Sequence, residues 1–151
     1  NKIVKSMSEE LKLQVVLLNR SEGKGGKAGA LNYGLKYCRG KYVLVMDIDS
    51  VVNKEFINKA VRILESDYNV AAVVGRWKAL NKNTRIAEGL AYSMEFIVDA
   101  SFRAWSKIRI PVYTLGTGTL YRKETLEELG GWCEDLLMED LEILHLSRLY
   151  C

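Results

Sequence analysis

One stretch restricts the fold more than any other. Val43-Leu44-Val45-Met46 puts four apolar residues in a row, and Asp47-Ile48-Asp49-Ser50 follows directly. A strand that is apolar at every position must be covered on both faces, as in the interior of a parallel sheet. In such sheets ligands bind in the crevice outside the carboxyl ends of the strands. Asp47 and Asp49 alternate with Ile48, so in an extended chain both carboxylates face one side. Two carboxylates at the mouth of a crevice suit a hard divalent cation, which would in turn hold a phosphate. A strand that ends in a plain acidic turn is the other reading, and this stretch by itself leaves both open.

The neighbouring sequence supplies a context of alternating elements. Leu13-Gln14-Val15-Val16-Leu17-Leu18 is expected to be a strand, and residues 19–26 a polar, glycine-rich loop. Ala28, Leu31, Leu35 and Cys38 recur at helical spacing, with Gly40 as a stop, and the acidic strand comes next. That order is a βαβ unit, which requires a parallel, right-handed crossover. A second unit follows. Asn53 caps a helix whose apolar face is Phe56, Ile57, Ala60, Val61 and Leu64, and residues 70–77 form a further strand.

Beyond it, Asn83-Thr84 caps a long helix that runs to about Ser106. Ile86, Leu90, Met94, Ile97, Ser101 and Trp105 share one face of it, the one expected to meet the core. Residues 112–115 and 119–122 are short strands around Gly116-Thr117-Gly118. A brief helix over 123–129 stops at Gly130-Gly131, and residues 139–149 form a last helix. The fold class expected is therefore α/β, with a mostly parallel sheet flanked by helices.

Composition rules out several classes of function. The 151 residues are 48% hydrophobic and 27% charged, a globular balance in a single-domain length. The net charge of +3 is too mild, and too dispersed, to indicate a nucleic-acid partner. Three widely spaced cysteines without a CxxC pair indicate neither a disulfide framework nor a zinc site. No apolar run approaches the length of a membrane span, about 18 residues. The chain opens at Asn1 in a polar stretch and closes at Tyr150-Cys151 with no helix cap, so residues 1–151 are expected to be part of a larger domain.

Four further features bear on chemistry. Gly23-Lys24-Gly25-Gly26-Lys27 between a strand and a helix is placed to present amides to a phosphate. It is not a P-loop, since Ser21 and Ala28 break that pattern. A flexible surface connector is the simpler account. Asn32 lies inside a helix, where Asn is unfavourable, which suggests a task for its amide. Gly116-Thr117-Gly118 allows close approach of a ligand to backbone, or is merely a hairpin turn. Glu139-Asp140 either complements the dipole of the last helix or supplies a general base. His145, the only histidine, lies between Leu144 and Leu146 and is read as structural.

Taken in order, Lys-Ala-Gly-Ala-Leu-Asn (27–32), Asp-Ile-Asp (47–49), Gly-Arg-Trp (75–77), Gly-Thr-Gly-Thr-Leu-Tyr-Arg (116–122), Gly-Gly-Trp (130–132) and Met-Glu-Asp-Leu-Glu (138–142) resemble glycosyltransferase family 2. The likeness is to its processive branch of cellulose, mannan and hyaluronan synthases, and it runs from about Leu13 to the end. It implies a Rossmann-like GT-A fold, incomplete here at both ends. The first strand would precede Asn1, and the QxxRW segment and membrane helices would follow Cys151. It also implies an inverting, metal-dependent transfer of a sugar from a UDP- or GDP-sugar to a glycan or lipid-linked hydroxyl. That reaction would run at the cytoplasmic face of a membrane, in polysaccharide or cell-envelope synthesis.

By that resemblance Asp49 and Asp47 match the DxD that holds Mg²⁺ or Mn²⁺ on the donor diphosphate. Lys27 and Asn32 lie on the donor side, and Gly116, Thr117 and Gly118 line the sugar and acceptor. Asp140, with Glu139 beside it, matches the general base. Met138 departs from the family's usual Thr, and Leu115 from a frequent Asn. A nucleotidyltransferase, or a degenerate nucleotide-sugar or glycan-binding module, is the alternative.

Overall fold

The structure is a computed structural model that describes Ser6, Glu9, Glu10, Lys12, residues 14–21 and 23–108, Val112, Thr114 and residues 116–135. The elements are α1 (Gly26–Leu35), β1 (Tyr42–Val45), α2 (Phe56–Ser66), β2 (Ala72–Val74), α3 (Arg85–Ile97), a π-helical turn (Val98–Phe102), α4 (Arg103–Lys107), β3 (Thr119–Arg122) and α5 (Lys123–Glu128).

Three strands form one sheet in the order β1-β3-β2. The βαβ logic holds in one respect: β1 and β2 run the same way and are joined through α2. They are not neighbours, however. β3 lies between them and is antiparallel to both, pairing Leu44 with Leu120 and Val73 with Leu120. A four-residue strand such as Thr119-Leu120-Tyr121-Arg122 carries no mark of its direction, so the direction of β3 was not readable from its sequence.

Both faces of the sheet are covered, as the acidic strand required. Val43, Val45 and Tyr121 meet Ala28, Leu31 and Leu35 of α1, Leu126 of α5 and Trp132. Tyr42, Leu44, Val73 and Leu120 meet Phe56, Ala60, Val61 and Leu64 of α2 on the other side. Tyr121 and Trp132 pack edge to face, with ring centroids 5.7 Å apart. Arg122 closes the α2 side. It is 3% exposed, and its guanidinium donates to the carbonyls of Leu64 at 2.6 Å and Val70 at 3.3 Å. A cation on the last carbonyls of a helix complements the dipole there, and the Tyr68 ring covers it at 4.7 Å.

Two expectations are corrected. Residues 14–18 form no strand, and Val15, Val16 and Leu17 are exposed. Among the described residues they have no neighbouring strand, and an unpaired apolar run cannot become one. The second correction concerns α3. Thr84 caps it as expected, its Oγ1 accepting from the Ala87 N–H at 3.1 Å. The buried face, however, is Ala91, Val98 and Phe102, whereas Ile86, Leu90, Met94 and Ile97 face outward. Periodicity locates an apolar stripe but does not say what that stripe packs on. Val98 and Phe102 fit against Val74 at the β2 edge with Val112, while Trp105 stacks on Phe102 at 5.9 Å.

Candidate functional site

Because β1 and β2 are co-directional and β3 opposes them, the C-terminal ends of β1 and β2 and the N-terminal end of β3 lie along one edge of the sheet. The first turn of α1 reaches the same edge, and the candidate residues gather there. Lys27 Nζ lies 3.2 Å from Asp47 Oδ1 and donates to the Gly116 carbonyl at 3.0 Å. The Asp47 N–H donates to Thr117 Oγ1 at 2.8 Å. The Thr117 hydroxyl in turn donates to Ser50 Oγ at 3.2 Å, and the Trp77 indole reaches the Thr117 carbonyl at 3.4 Å. Four segments that are far apart in the chain thus meet within hydrogen-bond reach.

The backbone explains how they get there. Gly25, at φ +77°, turns the loop into α1 and leaves Lys27 in the first helical turn. Gly116 and Gly118 have φ of +72° and +66°. This fold-back lets the Gly118 N–H donate to the Val45 carbonyl, and the Gly75 N–H to the Gly118 carbonyl, each at 2.8 Å. Gly116-Thr117-Gly118 is therefore a stitched bridge between the ends of β1 and β2, not a free hairpin tip.

The acidic pair itself differs from the alternating picture. β1 ends at Val45, and Asp47 to Ser50 form a turn closed by the Ser50 N–H on the Asp47 carbonyl at 3.1 Å. Ile48 projects fully into solvent, Asp49 is exposed and Asp47 is half-buried. The two carboxylates share a turn rather than one face of a strand. Past Val45 the Asp47 N–H is bonded to the Thr117 hydroxyl instead of to a neighbouring strand. Among the described residues no third His, Cys, Asp or Glu joins them. Two hard oxygen donors suit Mg²⁺ or Mn²⁺ whose remaining positions are filled by phosphate and water, and do not suit zinc. The ion pair between Lys27 and Asp47 is about two-fifths exposed on each side. It positions the groups more than it stabilises the fold.

Asn32 has a task, and it is a local one. Its Nδ2 donates to the Trp132 carbonyl at 2.7 Å and its Oδ1 accepts from the Trp132 N–H at 2.8 Å. It also meets Glu134 Oε1 at 3.1 Å. Both halves of the amide therefore fasten the loop after α5 to α1. Gly131, at φ +88°, leaves no room for a Cβ against Asn32 Oδ1. Glu139, Asp140 and His145 lie outside the described residues. Sequence reasoning passed over Ser50 and Arg20. Arg20 donates to the Gly26 carbonyl at 3.2 Å and to that of Lys24, bracing the glycine loop. A lone Ser after an acidic turn and a lone Arg before a glycine loop carry no distinguishing pattern. Among the described residues, two open clefts of about 580 and 390 Å³ lie elsewhere, and neither includes Asp47 or Asp49.

Comparison with known proteins bears on the family and the fold. The family model for glycosyl transferase family 2 matches residues 1–130. A probable glycosyltransferase of Sulfolobus acidocaldarius is 30% identical over 94% of this chain and 31% of its own length. A probable glucomannan 4-beta-mannosyltransferase of Oryza sativa is 30% identical over 82% of this chain and 22% of its own. A poly-beta-1,6-N-acetyl-D-glucosamine synthase of Staphylococcus epidermidis is 27% identical over 80% of this chain and 30% of its own. A mannosyltransferase from Pyrobaculum calidifontis, solved in complex with GDP-Man and Mn²⁺, superimposes with a TM-score of 0.72 at 25% identity. That match covers 99% of this chain and 39% of that one. The chain thus spans about a third or less of the relatives matched by sequence, and its architecture is that of part of a GT-A domain. On the family model, the relatives and the fold together, this chain belongs to glycosyltransferase family 2.

Proposed function

We propose that the edge built by Lys27, Asp47, Asp49 and residues 116–118 is the donor half of a metal-dependent, inverting glycosyltransferase site. The observation that carries the reading is the junction of Lys27, Asp47, the Gly116 carbonyl and the Thr117 hydroxyl at the C-terminal end of β1. A nucleotide-diphospho sugar is the donor, with a UDP- or GDP-sugar as the class. The mannosyltransferase of similar fold was solved with GDP-Man and Mn²⁺, which favours a guanine nucleotide and mannose among the candidates.

Asp49, exposed at the tip of the turn, and Asp47 would hold Mg²⁺ or Mn²⁺. The cation, when bound, supplies positive charge where the departing diphosphate develops negative charge. Lys27, 3.2 Å from Asp47 Oδ1, would add a second positive charge from the first turn of α1, where amide groups also favour an anion. Thr117 fixes the Asp47 backbone, and the left-handed turns at Gly116 and Gly118 set the course of the loop that would line the sugar. We assign Asn32 to positioning, not to donor contact, because its amide is already engaged by Trp132. Asp140, with Glu139 beside it, is assigned the acceptor side. Its carboxylate takes the proton of a glycan or lipid-linked hydroxyl as that oxygen attacks the anomeric carbon and the diphosphate leaves from the opposite face. The setting is polysaccharide or envelope synthesis at the cytoplasmic face of a membrane.

The experiment is a panel of UDP- and GDP-sugars presented to the full-length protein with Mg²⁺, Mn²⁺ or chelator, reading nucleoside diphosphate release. One donor should be consumed only with a divalent cation. Asp140→Asn should retain donor binding while the turnover falls ~10²–10⁴-fold. Transfer by Asp140→Asn at the parent rate overturns the base assignment. Donor binding without any turnover by the parent would instead mark a binding module.

A further inference from the structure

The outward face of α3 is the largest feature that the donor site does not explain. Ile86 is 78% exposed, Leu90 63% and Phe96 72%, and Met94, Ile97 and Tyr92 are open beside them. Isolated apolar residues on a surface are ordinary, but a contiguous stripe marks a contact. The stripe is also where the chain's charge resides. Residues 76–108 carry six Lys/Arg against three Asp/Glu, which is the whole of the formal excess of +3; the rest of the chain has sixteen of each. Two of those three carboxylates are already held in ion pairs, Glu95 by Lys82 at 2.9 Å and Asp99 by Arg76. Arg85, Arg103 and Lys107 are exposed along the same helical run.

We propose that this face of α3, with Arg85, Arg103 and Lys107 at its flank, lies in the headgroup layer of an anionic bilayer. An apolar stripe with aromatic residues and cations at its margin is the pattern of a helix lying in the plane of an interface. None of the described helices is long and apolar enough to cross a membrane, so the face rests on the surface and does not span it. Charge separates this occupant from a second copy of the chain. A two-fold pairing of α3 would set the cations at its two ends against cations of the partner, which opposes association. An anionic lipid surface instead attracts all of them. The contact would hold the β2 side of the domain, and with it the edge that carries the donor site, at a fixed height over the lipid.

The proposal does not rest on the donor assignment, and its test needs no activity. Single-cysteine variants Leu90→Cys, Ile97→Cys and Glu88→Cys are made in the full-length protein with Cys38, Cys133 and Cys151 replaced by Ser. Each is labelled with an environment-sensitive fluorophore and reconstituted in vesicles of mixed phosphatidylcholine and phosphatidylglycerol. Labels at 90 and 97 should be quenched several-fold more by nitroxide-bearing lipids than the label at 88, which points away from Leu90 and Ile97. Reversing Arg85, Arg103 and Lys107 to Glu should abolish that difference, since each cation is worth about fivefold in affinity for an anionic surface. Labels at 90 and 97 that are shielded from water yet unquenched would show protein on this face, from another segment or a second copy. Labels left in water would show nothing on it. Either result overturns the proposal.

Discussion

At the scale of single residues, the site is held by side chains whose partners are backbone groups. Thr117 accepts the Asp47 N–H, and Lys27 donates to the Gly116 carbonyl. Asn32 spans 100 residues of sequence to bind both polar groups of Trp132. Such bonds fix main-chain position, which is what a site assembled from distant loops needs. Asn32→Ala removes both bonds and leaves a half-buried N–H without a partner. We expect it to destabilise the fold by about 2 kcal/mol, read as a lowered urea midpoint, with donor affinity changed only through the looser loop. Unchanged stability together with lost donor binding would place Asn32 on the donor. The sequence did signal this residue, since an Asn in mid-helix is out of place. It could not name the partner, because nothing local links position 32 to position 132.

At the scale of elements, what was legible followed burial and what was not followed pairing. The both-faces-apolar character of β1, the helical stripes of α1 and α2, the Thr84 cap and the brief helix before Gly130-Gly131 all read directly from spacing. The antiparallel direction of β3 did not, nor did the outward turn of the α3 stripe, because both depend on which surface is free at the sheet edge. The acidic strand end is legible, but its turn is not: the partner of the Asp47 N–H is Thr117, 70 residues away.

Carboxylates held by lysines also set a pH response. Hydrogen bonds from Lys59, Lys41 and Lys82 hold Glu55, Glu65 and Glu95 below their ordinary value of 4.5. A carboxylate that is more acidic folded than unfolded contributes stability above its unfolded value, and loses it as the pH falls through the folded one. The melting temperature should therefore be insensitive to these groups from neutral pH down to about 4.5 and decline below it. Glu65→Gln and Glu95→Gln together should flatten that decline. An unaltered acid slope in the double variant would show that these pairs do not couple to folding. The effect is small at Glu55 and Glu65, whose side chains are more than half exposed.

At the scale of the whole molecule, one edge of a covered sheet collects everything with chemical potential. Two co-directional strands end there, an antiparallel strand begins there, and a helix starts there. Membership of glycosyltransferase family 2 rests on a match over residues 1–130, and this edge is where we propose the donor sits. The central claim is that Asp47 and Asp49 make donor binding depend on a divalent cation. Calorimetric titration of GDP-mannose and a set of UDP-sugars into the full-length protein tests it most directly, with Mn²⁺ or with chelator, in the parent and in Asp49→Ala. One donor should bind the parent only with Mn²⁺, and Asp49→Ala should bind it equally weakly with and without the metal. If Asp49→Ala keeps the parent's metal-dependent affinity, the acidic turn is not the metal site.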